Sequence, residues 1–119
     1  MVTIELNKGM QSGFAFSVMQ GDKGSVKVRA IVPSEADGID LSEATWTVLR
    51  KNGTTKGTDS VTAVEDSTSG LLTIDWTVPA DATGTVGKLE FMFKATSSTT
   101  LVWQSGVYCA RVDAALSVS

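Results

Sequence analysis

Apolar and polar residues alternate with a period of two along most of this 119-residue chain, and no other feature constrains its fold as strongly. The clearest run is 72–78, where four apolar residues alternate with threonine and aspartate. Comparable runs occur at 2–6, 14–19, 26–32, 45–48, 88–95 and 101–112. Since successive side chains of a β-strand point to opposite faces of a sheet, each run predicts a strand with one buried face.

Turn-forming residues separate the runs and limit how many strands the chain can hold. Asn52-Gly53 favours the positive φ angles of a tight hairpin, and Pro79 ends the clearest run because it lacks a backbone donor. Only Ser34–Ala44 is long enough for a turn of helix. Strands with turns every 8–12 residues predict one all-β domain over residues 1–119, an antiparallel, immunoglobulin-like β-sandwich of about seven or eight strands.

Strand parity predicts which residues form the core. The expected core residues share the apolar phase of their runs: Trp46, Ile74, Trp76, Val78, Leu89, Phe91 and Phe93. Gly106 interrupts the last run and predicts a bulge that changes the inward face. The change runs from Leu101 and Trp103 before the bulge to Tyr108, Ala110 and Val112 after it. A weaker strand at about 59–65 has no decisive phase.

Charge and composition exclude several classes of function. The net charge is −3, and the ten lysine and arginine residues are spread along the chain rather than gathered in a basic stripe, so nucleic-acid binding is not expected. No apolar run is long enough to span a membrane, and the N-terminus lacks the cationic and apolar regions of a signal peptide. Synthesis in a cytoplasm is therefore expected. The single Cys109 cannot form an intramolecular disulfide.

Residues suited to catalysis or metal binding are scarce. The absence of histidine removes the commonest proton shuttle and metal ligand. Asp75 and Glu90 lie at outward positions of separate strands, which indicates surface charges rather than the paired acids of a glycosidase. The acidic stretch 37–43 lacks the oxygen spacing of a calcium loop, and the sequon Asn52-Gly53-Thr54 is better explained as a hairpin turn. We therefore expect no catalytic residue, no metal, no cofactor and no enzyme.

Apolar residues at outward positions are the candidates for contact with a partner. They are Met19, Ile31, Leu71 and Met92. Trp103 and Tyr108 flank the predicted bulge, and one of them is expected to be exposed, where its ring could bind a sugar or a protein. Trp103 is therefore a fifth candidate contact. The segment 1–20 alternates cleanly and is predicted as an edge strand or docking segment that pairs with a neighbouring subunit.

Two segments and the glycines that follow them occur in a recognisable order. Residues 40–48 read Asp-Leu-Ser-Glu-Ala-Thr-Trp-Thr-Val, and a hairpin glycine follows at Gly53. Residues 70–76 read Gly-Leu-Leu-Thr-Ile-Asp-Trp, and a glycine-led strand begins at Gly87. Over about 25–112 this order resembles the N-terminal domain of phage baseplate upper proteins (BppU type), with its patterns D-L-x-x-A-T-V-x-F and G-x-V-x-Y-x-W.

The resemblance implies a non-enzymatic structural protein of a bacteriophage virion, a tail, baseplate or fibre-attachment module. In that family the N-terminal sandwich docks on the tail or baseplate core, so the implied partners are other virion proteins and further copies in a homo-oligomer. The implied location is the virion, after synthesis in the host bacterial cytoplasm. The family transfers no catalytic residue to this chain.

Two alternative functions remain open from the sequence. One is a head decoration or head-fibre protein, because the chain ends soon after the predicted sandwich and could be either a fragment or a small virion protein. The other is a carbohydrate or host-receptor binding module, whose ligand would be a host surface glycan held by Trp103 or Tyr108.

Overall fold

Strands make up nearly all the regular structure that the computed structural model describes. The described residues are 2–7, 13–22, 24, 26–36, 38–66, 68–97 and 100–114. The strands are β1 (Val2–Glu5), β2 (Phe16–Met19), β3 (Lys27–Pro33), β4 (Glu35–Ala36), β5 (Ile39–Asp40), β6 (Thr45–Asn52), β7 (Thr55–Val61), β8 (Ala63–Asp66), β9 (Leu71–Thr77), β10 (Gly87–Ser97), β11 (Thr100–Gln104) and β12 (Tyr108–Asp113). A short 3-10 helix, Ala80–Thr83, follows the predicted strand-ending Pro79.

Two sheets face each other across the core, and the all-β sandwich is confirmed. Sheet I has the strand order β1-β3-β9-β8, and sheet II has the order β2-β12-β10-β6-β7, with β11 also paired to β10. The sheets are mixed rather than wholly antiparallel, because β1 runs parallel to β3 and β2 runs parallel to β12. Neither pair is joined by a hairpin, and alternation in a sequence carries no information about strand direction.

Aromatic side chains join the sheets at the centre of the core. Trp76 of β9 packs on Phe91 of β10 with ring centroids 5.2 Å apart, and Phe93 meets Trp76 edge to face at 6.5 Å. All seven predicted core residues are buried, as strand parity indicated. The core packing therefore confirms the predicted phase of β6, β9 and β10.

The weak strand predicted at about 59–65 is two strands in two sheets. The chain leaves β7, at the edge of sheet II, at Val61 and enters β8, at the edge of sheet I, at Ala63. A segment that passes from one sheet to the other has no common inward face, which explains why its sequence showed no decisive phase.

The predicted change of face at Gly106 is confirmed for the described side chains. β11 and β12 lie one after the other along the same side of β10, and residues 105–107 join them. Trp103 is buried before this junction, and the residues buried after it are Tyr108, Ala110 and Val112. The side chain of Leu101 lies outside the described part of the structure.

The segment Ser34–Ala44 contains no helix among its described residues. It forms the two-residue strands β4 and β5, joined by a turn in which Gly38 has a positive φ of 76°. The side chain of Asp40 accepts hydrogen bonds from the backbone N–H and the hydroxyl of Ser42. This local bonding favours a turn over a helix, because the aspartate competes for backbone donors.

The described parts of the segment 1–20 pair within the chain itself. β1 forms one edge of sheet I, and β2 forms one edge of sheet II. The chain's own β3 and β12 occupy the inner edges of both strands, and pairing of their outer edges with a neighbouring subunit stays a prediction. Residues 8–12 lie outside the described part of the structure.

Candidate interaction surfaces

An apolar hollow lies on the outer face of sheet II. Leu49 of β6 and Met92 of β10 are cross-strand partners, and Val107 from the junction between β11 and β12 completes the hollow. All three side chains are half-buried. The open volume is about 570 Å³, which is large enough to accept several side chains of another protein.

The rim of this hollow is cationic. Lys51 pairs across the strands with Lys56 on one side and with Glu90 on the other. Two lysines directly opposite each other repel, so their pairing disfavours the isolated fold and favours a negatively charged partner. Around the rim, the described outward positions of sheet II carry five cations against two carboxylates. The cations are Lys51, Lys56, Lys88, Lys94 and Arg111, and the carboxylates are Glu90 and Asp113. We call the hollow and its rim the sheet II face.

A second apolar surface lies on the outer face of sheet I. Ile31, Thr73 and Val64 form one row across β3, β9 and β8, and Pro33 pairs with Leu71 in the next row. Val64 is 65% exposed and Leu71 is 36% exposed. We call the four apolar residues of these rows, Ile31, Pro33, Val64 and Leu71, the sheet I patch.

Carboxylates border the sheet I patch. Glu5 pairs with Ile31, and Asp66 pairs with Leu71. The backbone N–H groups of Thr68 and Ser69 lower the pKa of Asp66, so this carboxylate is ionised at neutral pH.

An ion pair lies in the next row of the same face. Arg29 binds Asp75 through two hydrogen bonds of 2.9 and 3.0 Å. These two charges cancel, and Lys27 lies in the row beyond them, so the described outward positions of sheet I carry three carboxylates against two cations. The two outer surfaces of the sandwich are therefore opposite in sign.

A buried polar cluster lies behind the sheet II face, between the two sheets. The side chain of Arg50 is 7% exposed and holds Asp59 through Nε at 2.8 Å and Nη2 at 3.2 Å. Trp76 of sheet I donates its indole N–H to the same Asp59 at 2.8 Å, and Asp81 of the 3-10 helix lies 3.3 Å from Arg50. The hydrogen bond that Arg50 donates to Asp59 is the largest cause that raises the pKa of Arg50. The cluster joins both sheets and stabilises the wall of the hollow.

Gly57 makes room for this cluster. A Cβ at Gly57 would lie 2.5 Å from Cζ of Arg50, so any side chain there would displace the guanidinium. The alternating pattern alone did not reveal the cluster, although Arg50 has the inward parity of Trp46 and Val48 and its cross-strand partner is a glycine.

Asn52 has a different role from the one predicted. It is the last residue of β6 and pairs with Thr55, so the two-residue hairpin loop consists of Gly53, with φ 61°, and Thr54. Its buried amide donates to the carbonyls of Thr85 and Lys88 and accepts the N–H of Thr85. The asparagine is therefore a tether for the loop before β10 rather than a turn residue, and its bonded amide nitrogen is inaccessible to a glycan.

The predicted contact residues lie on opposite surfaces. Ile31 and Leu71 belong to the sheet I patch, Met92 lines the sheet II face, and Met19 is 46% exposed at the end of the edge strand β2. Their role in binding a partner stays a prediction. Leu49, Val64 and Val107 were not among the predicted contacts, because each lies where the alternating pattern is broken or absent.

Trp103 corrects the expectation of an exposed aromatic ring. It is only 5% exposed and packs on Trp46 with ring centroids 5.9 Å apart. Tyr108 is also buried, and burial raises the pKa of its hydroxyl. Both rings stay inside because the chain changes face between them at 105–107. A sugar platform built on either ring is therefore not available.

Among the described residues, no three His, Cys, Asp or Glu side chains are arranged to hold a metal ion. Asp75 and Glu90 lie on the outer surfaces of different sheets, and Asp37 of the acidic stretch lies outside the description. No described helix has the length and hydrophobicity needed to cross a bilayer.

Comparison with known proteins identifies the fold. No protein-family model matches the chain, and no curated protein matches its sequence. Among solved structures, the chain is similar to the N-terminal domain of phage TP901-1 ORF48, with a TM-score of 0.52 and 14% sequence identity. The match covers 93% of this chain and 94% of the other. The resemblance to a phage N-terminal domain is thus confirmed as a likeness of fold, and it extends beyond 25–112.

Proposed function

We propose that this chain is a non-enzymatic structural module of a bacteriophage virion, used in a tail, a baseplate or the attachment of a fibre. The observation that carries the proposal is the fold shared with the N-terminal domain of phage TP901-1 ORF48 over almost the whole of both chains. The order of segments at 40–48 and 70–76 supports the same class of protein.

The geometry of the surfaces supports binding rather than catalysis. The sheet II face and the sheet I patch each combine accessible apolar side chains, half-buried on the first and exposed on the second, with charges of one prevailing sign. This composition is suited to protein interfaces. Neither surface brings together a nucleophile and a base among the described residues. The partners in this proposal are other virion proteins and further copies of the chain, and its place of action is the virion.

Electron microscopy with gold-labelled antibodies tests the proposed function. Antibodies against the purified chain are applied to particles produced from the genome that encodes it, with particles lacking its coding sequence as the control. The expected result is gold at the tail or baseplate of the first set alone. Gold on the head would support the decoration alternative. Unlabelled particles, combined with binding of the pure chain to host cell-wall polysaccharide, would overturn the proposal in favour of a glycan-binding module.

A further inference from the structure

We propose that copies of this chain stack head to tail, with the sheet I patch of one copy seated on the sheet II face of the next. This contact rests on the proposed structural role, because a module that assembles by self-association needs a surface for it. The occupant of the hollow is thus a second copy of the same chain. Three properties of the described surfaces support this head-to-tail contact.

Charge is the first property. Lys51 and Lys56 lie on the rim of the sheet II face, whereas Glu5 and Asp66 border the sheet I patch. Two copies of the sheet II face would repel each other through these lysines. A contact between unlike surfaces places cations opposite carboxylates, which sets the orientation of the two copies.

Shape is the second property. Val64 and Leu71 are exposed on the sheet I patch, with exposed fractions of 65% and 36%. The apolar residues of the sheet II face are recessed, because Leu49, Met92 and Val107 line a hollow of about 570 Å³. When exposed apolar side chains cover an apolar hollow, both surfaces leave the water, which stabilises the contact in proportion to the area buried.

Placement is the third property. The two surfaces lie on opposite sides of the sandwich, so one copy can use both at once, and each added copy leaves one free surface at either end. Such a heterologous contact produces a ring or an open array rather than a closed two-fold dimer. The four strands of sheet I are 4 to 7 residues long. At about 4.8 Å between strands and a rise of about 3.3 Å per residue, their outer face gives a contact on the order of 400 Å² per copy. An area of this size gives weak association that becomes significant at high local concentration.

Two single substitutions distinguish the proposed head-to-tail contact from a two-fold symmetric contact. Leu71→Arg places a cation in the sheet I patch, and Met92→Glu places a carboxylate in the sheet II face. We expect the unsubstituted chain to show concentration-dependent association by sedimentation velocity up to millimolar concentration. Each variant alone should associate at least about tenfold more weakly, because like charges then face each other across the contact.

A mixture of the two variants is the decisive sample. Leu71→Arg keeps an intact sheet II face, and Met92→Glu keeps an intact sheet I patch, so an equimolar mixture should recover the association that each variant alone has lost. A two-fold contact through either surface predicts instead that one variant alone associates as well as the unsubstituted chain. That result, or a mixture that stays monomeric while the unsubstituted chain associates, would overturn the proposal.

Controls distinguish a lost contact from a lost fold. Val86→Arg changes an exposed apolar residue outside both surfaces and should leave association unchanged. Leu49→Glu is a second variant of the sheet II face, for use if circular dichroism shows that Met92→Glu does not fold. Monomeric behaviour of the unsubstituted chain at all concentrations would refute the stacking, whereas gold labelling of particles tests the virion role independently of it.

Discussion

At the scale of single residues, the buried guanidinium of Arg50 depends on Asp59 more than on any other group. Asp59 supplies both of the shortest contacts to Arg50 and also accepts the indole N–H of Trp76. Without Asp59, the buried guanidinium would keep only the exposed Asp81, 3.3 Å away, to balance its charge in a poorly solvated site. Asp59 therefore stabilises both the hollow and the packing between the sheets.

We expect Asp59→Ala to lower the free energy of unfolding by about 3–5 kcal/mol, as measured by urea denaturation. The matched control is Asp113→Ala, which removes the exposed ion pair with Arg111. That substitution should lower the free energy of unfolding by less than about 1 kcal/mol, because water screens the charges of an exposed ion pair. Equal costs for the two variants would contradict the assigned role of Asp59.

Asn52→Ala tests the tether to the loop before β10. The substitution leaves two carbonyls and one N–H of residues 85 and 88 without their present partner. We expect a loss of about 1–3 kcal/mol in unfolding free energy. Lys51→Ala, at the neighbouring exposed position, should change stability by no more than about 0.5 kcal/mol. A cost for Asn52→Ala as small as that of the control would show that the amide bonds contribute little.

Asn52 also shows what a dipeptide signal can and cannot predict. Asn-Gly correctly marked a hairpin at this place in the chain, since both residues tolerate positive φ angles. It could not predict that the loop would be shifted by one residue, because that shift depends on partners more than thirty residues away, Thr85 and Lys88. The same limit applies to Arg50, whose burial depends on Asp59 and Trp76.

At the scale of elements, β1 is attached to the opposite sheet through one hydroxyl group. Tyr108 of β12 donates its O–H to the carbonyl of Glu5 and accepts the N–H of Asn7, at 3.2 and 3.1 Å. The carbonyl of Asn7 also accepts the N–H of Gly106 at 2.7 Å. The end of sheet I is thus held to sheet II where the chain leaves β1.

Tyr108→Phe should loosen β1 without disturbing the core. The ring remains to stack on Phe91, whose centroid is 5.8 Å away, but both hydroxyl hydrogen bonds are lost. We expect faster amide hydrogen exchange at residues 2–7. Amides of β9 and β10 serve as the internal control and should keep their protection. Uniform loss of protection along the chain would indicate a general destabilisation instead.

The elements themselves were predictable to different degrees. The phase of β6, β9 and β10 followed from alternation alone, because one buried face requires strict parity over a whole strand. The partners of β1 and β2 did not follow, because both pair in parallel with strands that no hairpin connects to them. The contact surfaces were predicted only in part, since a half-buried residue such as Val107 lies in a junction without a pattern.

At the scale of the whole molecule, exposed carboxylates make stability depend on acidity. Hydrogen bonds from Ser42 lower the pKa of Asp40, the N–H groups of Thr68 and Ser69 lower that of Asp66, and Arg29 lowers that of Asp75. A group with a lowered pKa in the folded state contributes stability above its unfolded pKa, near about 3.9 for aspartate. That contribution is lost as the pH falls through the folded value.

We therefore expect the melting temperature to stay level between neutral pH and about pH 5 and to fall below about pH 4. Differential scanning calorimetry over this range measures the effect. The triple variant Asp40→Asn, Asp66→Asn, Asp75→Asn should be less stable at neutral pH and show a shallower decline in acid. An unchanged decline would assign the acid sensitivity to other groups.

The parallel pairing of β2 with β12 has a mechanical consequence. Residues 16–19 lie beside 110–113 in the same direction. A force that pulls the chain before residue 16 and after residue 113 therefore acts along both strands in opposite senses. Every hydrogen bond between them is then loaded together in shear, whereas pulling open an antiparallel hairpin from its free ends breaks the bonds one by one. We expect the sandwich to resist extension in this direction. A tensile force applied before residue 16 and after residue 113 would be carried by this one pair of strands.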